Sequence, residues 1–198
     1  MFITFEGGDG AGKSTVIARV KESLEKVGKQ VVLTREPGGV PLGEEIRALL
    51  LESKTSVSIM AELLLFLASR AQHVEEKIKP ALASGKIVLC DRFTDSTLAY
   101  QGYARELGIA ALLPICKLAS GGLEPNLTLY LDLDPAVGLA RAKSGDRMEG
   151  EAREFHEKVR KGFLKLAEMY PERIHKIDAS KTPDEVYKQV MHYVNAAD

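Results

Sequence analysis

Ten residues near the start of the chain, Glu6 to Thr15, read EGGDGAGKST. Gly7, four intervening residues, then Gly12, Lys13 and Ser14 is the spacing of a phosphate-binding loop, whose backbone N–H groups wrap a polyphosphate. In that chemistry Lys13 reaches the β- and γ-phosphates and the Ser14 hydroxyl ligates Mg2+, while Gly8, Asp9, Gly10, Ala11 and Thr15 complete the nucleotide cradle. A glycine-rich turn is the plain alternative. Context decides against it, because the loop follows an apolar run and opens an amphipathic segment. Asp9 is the anomaly, a carboxylate in a loop built for a polyanion.

A second stretch, IVLCDRFTDSTLAYQG, ends an apolar run on Asp91 and Arg92. An Asp at the carboxyl end of a parallel strand beside the phosphate-loop strand is suited to hold the magnesium through water. In isolation an Asp-Arg pair is ordinary surface; its place at a strand end gives it chemical meaning. Other arginines sit in similar places. Arg35 ends a run, Arg141 and Arg147 flank a polar segment, and Arg47 and Arg70 fall on helical patterns. A GTP switch would carry a base-reading N-K-x-D, which is absent. Phosphoryl transfer to an anionic acceptor needs many fixed cations, because donor and acceptor phosphates repel.

The elements that must carry these residues are legible from periodicity. Short β-branched runs occur at residues 2–6, 30–35, 87–91, 127–133 and 174–178, separated by long helical patterns. Such alternation predicts a parallel sheet with helices on both faces. Val16, Ile17, Val20, Leu24 and Val27 mark the apolar face of the helix after the phosphate loop, with Gly28 to close it. TPDE at 182–185 offers Thr182 and Glu185 as a capping box for a last helix bearing Val186, Val190 and Val194. Residues 142–152 form the least apolar interior stretch and read as a loop. At 198 residues and 45% apolar content, residues 1–198 fit one domain. The 27 basic and 28 acidic side chains nearly cancel, which argues against a polynucleotide partner. No leader or membrane-spanning run is evident, and Cys90 and Cys116 lack metal or redox spacing, so an unexported, cytoplasmic chain with buried thiols is expected.

Taken together, FITFEGGDGAGKST, TREPGG, LLLFLASRAQH, DRFTDSTLAYQG, LYLDLDP and GDRME resemble the thymidylate kinase family over nearly the whole chain. That resemblance implies a nucleoside monophosphate kinase fold: a five-stranded parallel sheet flanked by helices, with the phosphate loop at 7–14 and a short lid at about 141–152. It implies ATP with Mg2+ as donor and dTMP as acceptor. Phe66 would stack on thymine and Arg70 would bond its carbonyl edge. Arg92 would bind the acceptor phosphate, with Arg35 and Arg47 as further acceptor-site cations. Tyr100 would lie under the deoxyribose and Gln101 near the base, with Ser96 and Thr97 as polar contacts. Asp9 would accept from the 3′-hydroxyl. One branch of the family carries an arginine in the phosphate loop and another carries its catalytic arginines in the lid; Gly10 with Arg141 and Arg147 resembles the second, bacterial-type branch. Lys143 stands where many such lids have another arginine. The adenine would lie between Arg141 and Ala179 to Thr182, and a homodimer is the family expectation, with IMAELLLFLA as a contact surface. A kinase for another monophosphate and a non-catalytic NTP switch remain the rival readings.

The acceptor's own chemistry removes one requirement. A phosphate monoester has a second pKa near ~6 and is already a nucleophile at neutral pH, so no general base is needed. His73, His156, His175 and His192 accordingly receive no chemical role.

Overall fold

In a computed structural model the chain is described over residues 1–52, 56–142, 147–148 and 150–197. Five strands, β1 (Phe2–Glu6), β2 (Val31–Arg35), β3 (Ile87–Asp91), β4 (Leu127–Asp132) and β5 (Ile174–Asp178), form one sheet in the order β2-β3-β1-β4-β5. All pairings are parallel. β1, β3 and β4 are buried along most of their length because helices cover both faces, which is why they read as continuous apolar runs. β2 is an edge strand, and its Leu33 is exposed.

On one face α1 (Lys13–Lys26) and α9 (Pro183–Ala197) pack with Ile3, Phe5, Leu129 and Ile177. Val16, Ile17, Val20 and Leu24 are buried as the period predicts. Val27 is not: the helix ends at Lys26, Val27 becomes the C-cap and is 70% exposed, and Gly28 turns the chain at φ +83°. At α9 the Glu185 carboxylate accepts from the Thr182 N–H at 3.0 Å and Thr182 Oγ1 accepts from the Glu185 N–H at 3.3 Å, the reciprocal capping box.

The opposite face carries α2 (Pro41–Leu51), α3 (Ile59–His73), α6 (Ile109–Ala119) and α8 (Arg153–Met169). After β3, a short helix α5 (Thr94–Thr97) runs into a π-helical stretch, Leu98–Ala104. The sequence pattern gave no sign of this wide turn. α8 lies directly on it, and Gly162 permits the approach: a Cβ there would stand 3.0 Å from Ala99 Cα and from Tyr103 Cβ. The second core, with Leu98, Tyr130, Phe163 and Leu166, forms at this contact. A further π-helical stretch, Val74–Ile78, prolongs α3 into α4 (Lys79–Ala83). α7 (Pro135–Arg141), N-capped by Asp134 through the Ala136 N–H, leads towards the expected lid. Within that lid, Lys143 and residues 144–146 and 149 lie outside the described residues. No helix among the described residues is long and apolar enough to cross a membrane. Cys90 and Cys116 are free and buried, and burial pushes both thiols up.

Candidate active site

The carboxyl ends of β1 and β3 meet at the middle of the sheet, where the strand order reverses, and the loops leaving them build the site. After β1 the chain turns through Gly7 to Gly12 into α1. Gly10 sits at φ +69°, and a Cβ on it would fall 2.0 Å from the Gly138 carbonyl of α7. That contact explains the residue: the phosphate loop lies backbone to backbone on α7, with no space for a side chain. Lys13 is buried and donates to Gly7 O at 3.1 Å and Gly8 O at 2.9 Å. Burial and the nearby Arg92 both lower its pKa, against the carboxylates of Asp91, Asp9 and Glu6.

After β3, Arg92 adopts φ +69°, a left-handed conformation uncommon for a residue with a side chain. Glu6, buried at the end of β1, stabilises this turn by accepting from the Phe93 N–H at 2.8 Å and from Ser96 Oγ at 2.5 Å. The guanidinium is thereby aimed back across the phosphate loop. Its Nη1 donates to Gly7 O at 2.9 Å and Ser96 Oγ at 3.3 Å, its Nη2 to Asp9 Oδ1 at 2.6 Å, and it lies 5.2 Å from the Tyr100 ring centre. Burial alone would raise the Asp9 pKa, but Arg92, then Lys13 and His156, outweigh it and hold the carboxyl below its ordinary value. The acid in the phosphate loop is thus the partner of a partly buried arginine.

Two cavities open around this pair. One, of about 390 Å³, is lined by residues 9–15 with Arg35, Asp91 and Arg141. The other, of about 110 Å³, is lined by Phe66, Arg70, Ser96, Thr97, Tyr100 and Gln101 with Pro37, Leu51 and Met148. Asp9, Glu36, Arg47 and Arg92 line both. Phe66 is half-buried with its ring at the cavity wall, where its apolar neighbourhood in sequence suggested core. Arg35 belongs to the phosphate-side cavity and pairs with Glu44 at 2.9 Å, apart from the other acceptor-site residues. Arg47 donates to Pro37 O at 3.0 Å.

Arg147 departs from expectation. Instead of pointing at phosphates, it donates through Nη2 to Glu62 Oε2 at 2.5 Å and through Nε to Leu50 O at 2.8 Å, and it lines neither cavity. A buried carboxylate attracts it more strongly than an open cleft does, since Glu62 is 1% exposed. Ala179 to Thr182 form the turn into α9 and are not among the residues lining the phosphate-side cavity.

Sequence reasoning passed over the buried acids behind these side chains. Glu36 accepts from Arg70 Nε at 2.8 Å and faces His73 Nδ1 at 2.9 Å, while His73 Nε2 meets Thr34 Oγ1 at 2.7 Å. His73 therefore has a part, orienting the carboxylate that orients Arg70. Arg70 itself lines the second cavity, and its Nη1 is buried without a hydrogen-bond partner. A signal did exist: Glu62 interrupts an otherwise apolar helical run, Glu6 ends one strand pattern and Glu36 directly follows another. The residues present also suit a magnesium ion held with a nucleotide. Asp91 Oδ1 is buried without a hydrogen-bond partner, and Ser14 lines the same cavity. A divalent ion bound largely by phosphates and water asks for no more than one or two protein ligands.

A phosphate loop at the reversal point of a five-stranded parallel sheet, sharing four residues with a second cavity, defines a phosphotransferase of the nucleoside monophosphate kinase fold. Residues 5–190 match the family model described as thymidylate kinase. The chain is 53% identical over 194 residues to a thymidylate kinase of Synechococcus sp. (strain JA-3-3Ab), covering 98% of this chain and 95% of that protein. It is 50% identical over 205 residues to that of Protochlamydia amoebophila (strain UWE25), covering 98% and 91%. The crystal structure of thymidylate kinase from Ehrlichia chaffeensis superposes with a TM-score of 0.81 at 37% identity, covering 98% of each chain. The chain belongs to the thymidylate kinase family.

Proposed function

We propose that this chain transfers the γ-phosphoryl group of ATP to the 5′-phosphate of dTMP, giving ADP and dTDP, the precursor of dTTP. The observation that carries this reading is the pair of cavities joined at Asp9 and Arg92, one built for a polyphosphate and one for a flat, polar-edged ring. Lys13 and Arg141 stand on the donor side, and Arg92 and Arg47 lie between donor and acceptor. These cations offset the repulsion between two phosphates and hold them in line, which is most of what phosphoryl transfer requires. Ser14 and Asp91 would hold Mg2+, which when bound with ATP draws negative charge from the β- and γ-phosphate oxygens. Phe66 stacks on the base, Arg70 donates to its carbonyl edge, and Tyr100 supports the sugar, leaving little room for a 2′-hydroxyl. Asp9 receives the 3′-hydroxyl while it anchors Arg92. With Arg147 engaged by Glu62, the phosphate charge rests on Lys13, Arg92 and Arg141 in this conformation.

The enzyme acts as a cytoplasmic homodimer in this reading. Ile59, Met60 and Leu64 on α3 and Leu42 and Leu49 on the adjoining α2 are all more than a third exposed, an apolar surface suited to a second copy. The test of function is an ADP-release assay across dTMP, dUMP, the 2′-hydroxyl analogue of dTMP, dCMP, AMP and GMP. The highest kcat/KM is expected for dTMP; a higher value for any other acceptor, or hydrolysis indifferent to all of them, would reject the proposal.

A further inference from the structure

We infer that Glu62 sets the base specificity of the acceptor site by fixing which end of the Gln101 amide faces the cavity. Glu62, Phe66 and Arg70 recur every four residues along α3 and share one of its faces. Glu62 is 1% exposed. Its Oε1 accepts from Gln101 Nε2 at 2.8 Å and its Oε2 from Arg147 Nη2 at 2.5 Å, with Arg105 Nη2 at 3.7 Å. A carboxylate between two guanidinium groups has no proton to give, so only the nitrogen of the Gln101 amide can face it. The end of that amide left for the cavity is its carbonyl oxygen, an acceptor.

Arg70 supplies the complementary half. Its Nε is committed to Glu36 while its guanidinium lines the same cavity, and a guanidinium has only donors to present there. An acceptor beside a donor matches a pyrimidine with an N3–H and a C4 carbonyl. It opposes one with an N3 lone pair and a C4 amino group, where acceptor would face acceptor and donor would face donor. Glu62 touches no substrate in this scheme; it is a positioning residue that determines what Gln101 can read. The inference rests on the dTMP reading above and extends it to the reason cytosine is refused.

The experiment compares kcat/KM for dTMP, dUMP and dCMP in wild type and Glu62→Gln. The new amide can donate or accept, so Gln101 is free to turn. The dTMP-to-dCMP ratio is expected to fall by roughly tenfold or more, with dUMP tracking dTMP because it shares the same edge. In a Gln101→Leu background, Glu62→Gln should leave that ratio unchanged. Equal losses on dTMP and dCMP would overturn the inference and reduce Glu62 to a packing role. Should Glu62→Gln fail to fold, Glu62→Asp keeps the charge for Arg105 and Arg147, withdraws it from Gln101, and gives the same readout. A wild type without preference for dTMP would sink the acceptor reading and this inference together, whereas wild-type preference with an unaltered variant ratio would sink only the role of Glu62.

Discussion

Asp9 and Arg92 form a partly buried ion pair at the junction of two cavities, and neither residue can be understood alone. Removing either carboxylate or guanidinium leaves the other charged and unpaired. The losses in kcat/KM from Asp9→Ala and Arg92→Ala should therefore be non-additive, with a coupling of roughly 1–3 kcal/mol in a double-mutant cycle. Additive losses would mean that Asp9 serves the acceptor only. Glu6 makes a different prediction. Burial above all, then the nearby Asp95, pushes its carboxyl up to about 8, despite the hydrogen bonds from Ser96 and Phe93 and the charge of Arg92. Unfolded, the group ionises near 4.5, so between 4.5 and about 8 the folded state holds the extra proton. Stability must then fall as pH rises through that window, by at most about 1.4 kcal/mol per pH unit. Glu6→Gln removes the proton and should flatten the denaturation profile over that range; an unchanged slope would show that Glu6 is ionised in the fold.

The elements matter through how closely they approach. The phosphate loop touches α7 at a double glycine contact, Gly10 against Gly138 O and a Cβ on Gly138 only 2.4 Å from Asp9 O. Gly10→Ala adds a methyl group where there is no space, at a φ that side chains disfavour. A stability loss of at least about 1–3 kcal/mol is expected from the backbone strain alone, with weakened ATP binding by titration calorimetry. Gly8→Ala is the control for stability alone, since a Cβ there meets no protein atom within 4 Å. The same contact accounts for the absence of a phosphate-loop arginine, because α7 occupies the side-chain position. The π-helical stretch Leu98–Ala104 acts similarly: its wide turn brings Tyr100 and Gln101 to the cavity while Gly162 lets α8 support it from behind.

At the scale of the molecule, the two cavities are lined by loops from both halves of the sheet, so occupancy by ATP and dTMP should stabilise the whole fold. Saturation of one site at a hundred times Kd adds about 2.7 kcal/mol, a rise in Tm of about 5–10 °C for a chain of this size. Scanning calorimetry with ADP and dTMP, singly and together, would detect it, and no shift with dTMP would argue against the acceptor site. Leu64→Glu places a charge on a side chain that is 57% exposed, so it should cost the isolated fold little. Sedimentation equilibrium should nevertheless report half the mass of the wild type. A wild type already monomeric would dispose of the dimer.

The sequence by itself determined the five strands, the phosphate loop and the caps of α9, and it singled out Phe66, Arg70, Arg92, Tyr100 and Gln101, which line one cavity. Those features are encoded locally, by period, by glycine spacing or by motifs that travel as short strings. What only the tertiary structure decided was which charges meet. Arg92 to Asp9 spans 83 positions, Arg147 to Glu62 spans 85 and Arg70 to Glu36 spans 34. No periodicity links such residues; they become neighbours only when parallel strands bring their loops to one edge of the sheet. Val27 failed for a related reason, since where a helix stops depends on the turn that follows it. The acid in the phosphate loop was visible from the first ten residues, but its partner came from the far side of β3.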